Sequence, residues 1–117
     1  MCIRDSLYTG LVKTELADDF YYLCPAQLDE ELAVDLNWYT AAAFRVLGGA
    51  DVSRVDFRLD RHDNDKPYIL EINPLPGLAP GYSDFPMIAE RCGMDYPSLI
   101  GAVLSAALRR AGLPGRL

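Results

Sequence analysis

The sequence predicts an α/β (α+β) fold, a small, mostly antiparallel sheet flanked by helices. Three observations predict it. Val55, Phe57 and Leu59 alternate with Arg54, Asp56, Arg58 and Asp60, and a second alternating run covers residues 67–73. The six residues between these runs, Arg61 to Lys66, are wholly polar, so the pair reads as a hairpin. Two longer stretches, 27–47 and 97–111, repeat apolar residues at three- and four-residue spacing, the period of an amphipathic helix.

Taken in order, residues 1–6 neither cap nor continue an element and are expected to be an artefactual or truncated start, with residues 7–113 forming the domain. Residues 7–12 are apolar but interrupted by Gly10, which fits an edge strand or a loop, and 13–19 are polar. The aromatic run 20–24 ends at Pro25 and reads as an extended segment entering a helix. In the helix over 27–47, Leu28, Leu32, Leu36, Tyr39, Ala43 and Leu47 share one face. Asp29, Glu30 and Glu31 suit its positive N-terminal end, and Gly48-Gly49 stops it. Trp38, Tyr39 and Phe44 are expected to pack in the core or an interface. Strands over 53–60 and 67–73 follow, then a Pro/Gly-rich loop over 74–82. Ser83 or Asp84 caps a short helix that stops near Gly93. The last helix carries Pro97 in its first turn, the stripe Leu99, Ile100, Val103, Leu104, Ala107 and Leu108, and Arg109 and Arg110 at its negative end. Gly112 ends it.

Composition narrows the function. The chain has 117 residues and is 50% hydrophobic, which suits one folded domain with a modest core. Its net charge is −6 with no basic block, which speaks against nucleic acid as a partner. No apolar run approaches a membrane span, and no signal peptide is visible. The three cysteines, Cys2, Cys24 and Cys92, are scattered, which fits a reducing cytoplasm and neither a disulfide framework nor a zinc site. His62, the one histidine, falls in the polar turn and is expected to be solvated.

The hairpin register carries the chemistry. With the turn centred between Asp63 and Asn64, Asp56 faces Glu71 and Arg54 faces Asn73, all four on one face of the sheet. Two carboxylates directly opposite each other repel. A proton, a cation or full solvation must offset that. Asp, Glu and Asn supply the oxygen donors that Mg²⁺ prefers, and the ion keeps open positions for phosphate oxygens. Arg54 beside them could neutralise charge in phosphoryl transfer. The plainer reading, a solvated acidic face, stays open at this point. The rigid turn Asn73-Pro74-Leu75-Pro76-Gly77 next to the carboxylates favours a ligand site.

Arg54-Val55-Asp56-Phe57 and Tyr68-Ile69-Leu70-Glu71-Ile72-Asn73-Pro74-Leu75-Pro76-Gly77 resemble the C-terminal motifs of ATP-grasp enzymes, most closely the D-alanine–D-alanine ligases. The resemblance extends through Gly81-Tyr82-Ser83, Pro86-Met87-Ile88-Ala89-Glu90 and Gly93-Met94-Asp95-Tyr96, and upstream to Tyr22-Leu23-Cys24-Pro25-Ala26. It implies the C-terminal lobe of an ATP-grasp fold. It also implies an ATP- and Mg²⁺-dependent ligase (Mn²⁺ as a substitute) that joins two D-alanines through an acyl phosphate, for peptidoglycan precursor synthesis. By the same resemblance Asp56, Glu71 and Asn73 ligate the metal, and Arg54 stabilises the transferring phosphate. Gly77 through its backbone amide and Ser83 through its hydroxyl bind the second D-alanine. Leu70 lines the adenine floor, and Lys13 lies near a phosphate-contacting lysine. Pro74 stands where the family has a small polar residue, and the loop between Gly77 and Ser83 is one residue longer, which bears on the identity of the acceptor. An ATP-grasp ligase with another amino-acid or hydroxy-acid substrate is the nearest alternative, and a non-catalytic fragment that binds metal or a partner lobe is the alternative of a different class. The family's N-terminal substrate domain and much of its central domain have no counterpart here, so the expected partners are small molecules, the missing lobe and, at full length, a second copy. Without that lobe the chain is expected to expose apolar surface.

Overall fold

The computed structural model describes residues 23–114. Helix α1 (Glu30–Val46) is followed by the strands β1 (Arg54–Asp60) and β2 (Lys66–Asn73), then α2 (Asp84–Arg91) and α3 (Tyr96–Arg110). The strands pair antiparallel as a hairpin, α1 packs against β2, and α2 packs against α3. This is the α+β arrangement of helices around an antiparallel pair. The segments expected over 7–12 and 13–19, most of 20–24, and Lys13 lie outside the described residues.

α1 begins three residues later than its apolar pattern predicts. Asp29 is its N-cap: the carboxylate accepts from the Leu32 N–H at 2.8 Å, and Glu30 and Glu31 fill the first turn. Gly48, at φ +66°, takes the left-handed turn after the C-cap, and the Gly49 N–H returns to the Phe44 carbonyl at 2.7 Å. The inward face is rotated from the predicted one. Leu36 is 2% exposed, and Leu32, Ala33, Thr40, Ala43 and Phe44 are half-buried around it. Tyr39 and Leu47, expected in the stripe, are exposed, and Trp38 is 65% exposed with Tyr39 edge-on to it at 5.3 Å. The stripe's smaller members, alanines and Thr40, let the helix sit close to the hairpin, and the two aromatic rings are left outside.

The register agrees with expectation at one end of the hairpin and departs from it at the other. Arg54 pairs with Asn73, Val55 with Ile72 and Asp56 with Glu71. Phe57 then pairs with Ile69, Arg58 with Tyr68, Leu59 with Pro67 and Asp60 with Lys66. Leu70 is therefore the extra residue of a β-bulge, and the turn centres on Asp63 rather than between Asp63 and Asn64. The physical reason lies in the apolar residues. Ile69 and Ile72 are three apart and cannot share a face of a regular strand, but with one residue bulged out they oppose Phe57 and Val55 on one face. The Tyr68, Leu70 and Ile72 alternation thus fails at its first two members. The five-residue turn closes with Asn64 and Asp65 left-handed (φ +51° and +54°) and with the Asp63 N–H donating to Asp60 and the Lys66 N–H to Asp63.

α3 starts at Tyr96, capped by Asp95, whose carboxylate accepts from the Ser98 N–H at 2.9 Å. Leu99 is its buried anchor. Its last turn is tied to the loop after α1: Arg110 grips Asp51 in a fork, Nη2 to Oδ2 at 2.6 Å and Nε to Oδ1 at 3.0 Å. These bonds hold the Asp51 carboxyl below its usual range. A lowered carboxylate pKa contributes stability that is present above the unfolded value near 3.8 and is lost as pH falls through the folded one. Asp51 also holds φ +62°, a conformation that asparagine tolerates equally. Asp51→Asn is therefore expected to lower Tm at neutral pH, with the difference from the parent closing as pH falls below the carboxylate range. A gap that persists unchanged in acid would contradict the ion-pair account.

The core is thin. Apart from Leu36 and Leu99, large apolar side chains such as Val34, Val46, Leu70 and Leu75 are exposed among the described residues. No helix there is long and apolar enough to cross a membrane.

Candidate functional site

The site is assembled where β1 begins, β2 ends and α2 begins. The register puts Arg54 opposite Asn73 and Asp56 opposite Glu71. The repulsion expected between the two carboxylates is met by a cation from the chain itself. The Arg54 guanidinium donates from Nε to Asp56 Oδ1 at 2.8 Å and from Nη2 to Asp56 Oδ2 at 2.9 Å, and Nη2 lies 3.8 Å from Glu71 Oε1. A third carboxylate approaches from α2: Asp84 Oδ2 is 3.5 Å from Nη1. The bond to Asp56 raises the Arg54 pKa further above its ordinary value, against the effect of burial, and the charges of Asp56, Asp84 and Glu71 add to it. The Arg54 side chain is 20% exposed, so this is a half-sheltered network rather than a surface pair.

Asn73 ends β2 and starts the loop. Its Oδ1 accepts from the Leu75 N–H at 3.0 Å, an Asx turn that fixes how Pro74 leaves the strand. The loop returns so that Gly77 lies against Ser83: a Cβ built on Gly77 would stand 2.6 Å from Ser83 Oγ. Ser83 is 6% exposed. It occupies the N-cap position of α2, yet its hydroxyl does not cap the helix and instead accepts from the Ala79 N–H at 3.2 Å. The Ser83 N–H bonds back to the Ala79 carbonyl at 2.9 Å. The two residues expected to bind the acceptor are therefore neighbours in space, joined to the Arg54 cluster through Asp84, the next residue after Ser83.

Leu70 stands apart. As the bulge residue it is 65% exposed, on the strand that carries Glu71 but outside the regular pairing. Lys13 lies outside the described residues. Asp84 was not singled out for chemistry by its sequence position, where it reads as a helix cap. Its contact with Arg54 is made by the return of the loop, which brings the head of α2 back to β1.

The donor chemistry of Asp56, Glu71 and Asn73 fits a hard divalent cation, since all three present oxygen and Glu71 is largely exposed. A carboxylate offers about four lone-pair sites, so the two bonds from Arg54 leave Asp56 able to accept more. No group of three or more His, Cys, Asp or Glu among the described residues is arranged to hold a metal, so an ion here would rely on Asn73 and on oxygens from outside the cluster. Two concavities, one lined by Asn37, Thr40 and Val52 and one by Leu47, Ile72 and Leu75, lie at the C-terminal end of α1, not over Arg54. The charged cluster lies on the sheet face, with Asp56 and Glu71 more exposed than Arg54 and Asp84.

Comparison with known proteins agrees with this anatomy. Residues 4–105 match the family model for the D-ala D-ala ligase C-terminus. A D-alanine–D-alanine ligase of Dechloromonas aromatica is 43% identical over 90 residues, covering 77% of this chain and 29% of that enzyme. One of Laribacter hongkongensis is 40% identical over 77% of this chain and 28% of its own length. An uncharacterized protein, y4sG, of Sinorhizobium fredii is 41% identical over 74% of this chain and 25% of its own. The chain thus spans less than a third of the length of these relatives. By the extent of the match, and by motifs that fall on the paired strands and the loop of the site, the chain belongs to the family of D-alanine–D-alanine ligase C-terminal domains.

Proposed function

We propose that this chain forms the metal- and acceptor-binding face of an ATP- and Mg²⁺-dependent carboxylate–amine ligase of the D-alanine–D-alanine type, acting at full length in the cytoplasm on peptidoglycan precursors. The observation that carries the proposal is the pairing of Asp56 with Glu71 and of Arg54 with Asn73 on one sheet face, with Gly77 and Ser83 in contact beside it. In this reading Asp56, Glu71 and Asn73 hold the metal, with Mn²⁺ able to replace Mg²⁺. Bound there, the ion would neutralise the ATP phosphates and polarise the transferring one. Arg54 presents five N–H donors, of which three address Asp56 and Asp84, leaving one on each terminal nitrogen for an anionic oxygen. The Gly77 amide and the Ser83 hydroxyl orient the acceptor amino acid, and Leu70 offers an apolar surface to adenine. Lys13 is assigned to phosphate by resemblance alone. The donor site, the rest of the nucleotide site and any homodimer contact are assigned to regions of the relatives that this chain does not span.

A second reading, a ligase for a different amino-acid or hydroxy-acid acceptor, is favoured by one observation. The loop between Gly77 and Ser83, the segment that would contact the acceptor, is one residue longer than in the resembled family. Calorimetric titration of Mg²⁺ into the full-length protein, with and without ATP, tests the main proposal. Heat is expected from the parent and not from an Asp56→Ala, Glu71→Ala double variant. Equal heats from a folded double variant would assign the metal elsewhere.

A further inference from the structure

We infer that Asp84 is a positioning residue for Arg54, locking the guanidinium from the side opposite Asp56 and tying its orientation to the loop that carries Gly77 and Ser83. The inference rests on the functional reading above only in its kinetic consequence.

The geometry argues it from both ends of the arginine. Asp56 takes the Nε–Nη2 edge in a fork, which fixes the plane of the guanidinium but approaches it from one edge only. Asp84 meets the other terminal nitrogen, Nη1, at 3.5 Å. A planar, delocalised group held at Nε, Nη2 and Nη1 has no remaining rotation about its Nε–Cζ bond that keeps its partners. The two carboxylates come from different elements: Asp56 from β1, Asp84 from the first turn of α2. Asp84 is half-buried (16% exposed at its side chain), so the contact is sheltered. It is the residue after Ser83, whose backbone and hydroxyl are both bonded to Ala79. Any displacement of the loop between Gly77 and Ser83 is thus carried through Asp84 to Nη1. Arg54, whose expected task is to meet phosphate charge, would be aimed by the segment whose expected task is to hold the acceptor.

The test uses the full-length protein with ¹⁵N-labelled arginine and the variants Asp84→Ser, which keeps a residue suited to a helix start, and Asp84→Glu. In the parent, Arg54 is expected to show separate Nη1 and Nη2 proton resonances, because rotation about Nε–Cζ is hindered. In Asp84→Ser these should merge while the Nε–H signal, held by Asp56, stays in place. Alongside, kcat is expected to fall about tenfold, the usual scale for removing a partner that orients a functional group, with KM for ATP nearly unchanged and Asp84→Glu recovering part of the loss. Arg54 resonances that stay separate in a folded Asp84→Ser protein would overturn the inference, as would merged resonances with unchanged kcat. A parent protein that performs no ATP-dependent ligation, yet whose Arg54 resonances merge in Asp84→Ser, would overturn the ligase reading and uphold the lock.

Discussion

On the proposed ligase reading, Arg54→Met in the full-length protein is expected to lower kcat about a thousandfold, the scale for removing a preorganised charge at a phosphoryl-transfer site, while leaving Mg²⁺ affinity equal or tighter. The two effects separate because Arg54 and a metal draw on the same oxygens. In this structure both Asp56 oxygens accept from the guanidinium, and Glu71 lies within its field. Methionine keeps most of the aliphatic stem and removes the competing cation, so both carboxylates become more available to an ion. Without metal, three carboxylates converge on one sheet end with no positive charge between them. Removing one partner of a sheltered ion pair leaves the others uncompensated. With Arg54 only partly buried, and Glu71 largely exposed, the cost is expected to be about 1–2 kcal/mol, well below that of a fully buried pair. Added Mg²⁺ should then raise the Tm of the variant more than that of the parent. Thermal melts across a Mg²⁺ series and steady-state rates decide it. A variant that loses metal affinity in step with activity would show that Arg54 supports the ion rather than competing with it.

The parts of this site legible in the sequence are those set by strong local patterns. Alternation of Val55, Phe57 and Leu59 against polar neighbours is enough to fix one strand and its faces, whereas the Asp56–Glu71 and Arg54–Asn73 pairings agree with expectation because the extra residue at Leu70 offsets a turn centred on Asp63. The bulge was not legible, because counting back from a turn assumes that every residue pairs. Ile69 and Ile72 at odd spacing were the clue: with Leu70 bulged out they oppose the apolar Phe57 and Val55. Helix α1 was legible in existence, in its C-terminal stop and in the Leu32, Leu36 and Ala43 part of its inward face, but not in the rotation that exposes Tyr39 and Leu47, since Ala33 and Thr40 count for little in an apolar tally. The role of Asp84 was beyond reach for a different reason. Its contact with Arg54 joins residues thirty positions apart through the return of a Pro/Gly-rich loop, and nothing in local spacing encodes that path.

Gly77→Ala should separate the structural role of the loop from its binding role. The Cβ it adds would stand 2.6 Å from Ser83 Oγ and 3.2 Å from Ser83 Cβ. Gly77 is not in a left-handed conformation, so the effect is steric and carries no backbone penalty. Ser83 cannot retreat as a whole: it is buried, its N–H is bonded to Ala79, and α2 begins at the next residue. The hydroxyl must rotate and release the Ala79 N–H, or the loop must shift. Either response costs about 1–2 kcal/mol, as for overpacking combined with a lost hydrogen bond. Either also moves the two groups assigned to the acceptor, and a displacement of this size at a positioned group is worth about a hundredfold in kcat/KM for the acceptor. KM for ATP should change little. The double variant Gly77→Ala, Ser83→Ala removes the atom that clashes most closely. It is expected to be more stable than Gly77→Ala alone while remaining defective toward the acceptor, because the hydroxyl that would orient it is gone. Denaturant melts and acceptor kinetics on the parent and the two variants read both outcomes. Recovery of acceptor kinetics together with stability in the double variant would show that the loop needs room and that the Ser83 hydroxyl binds nothing.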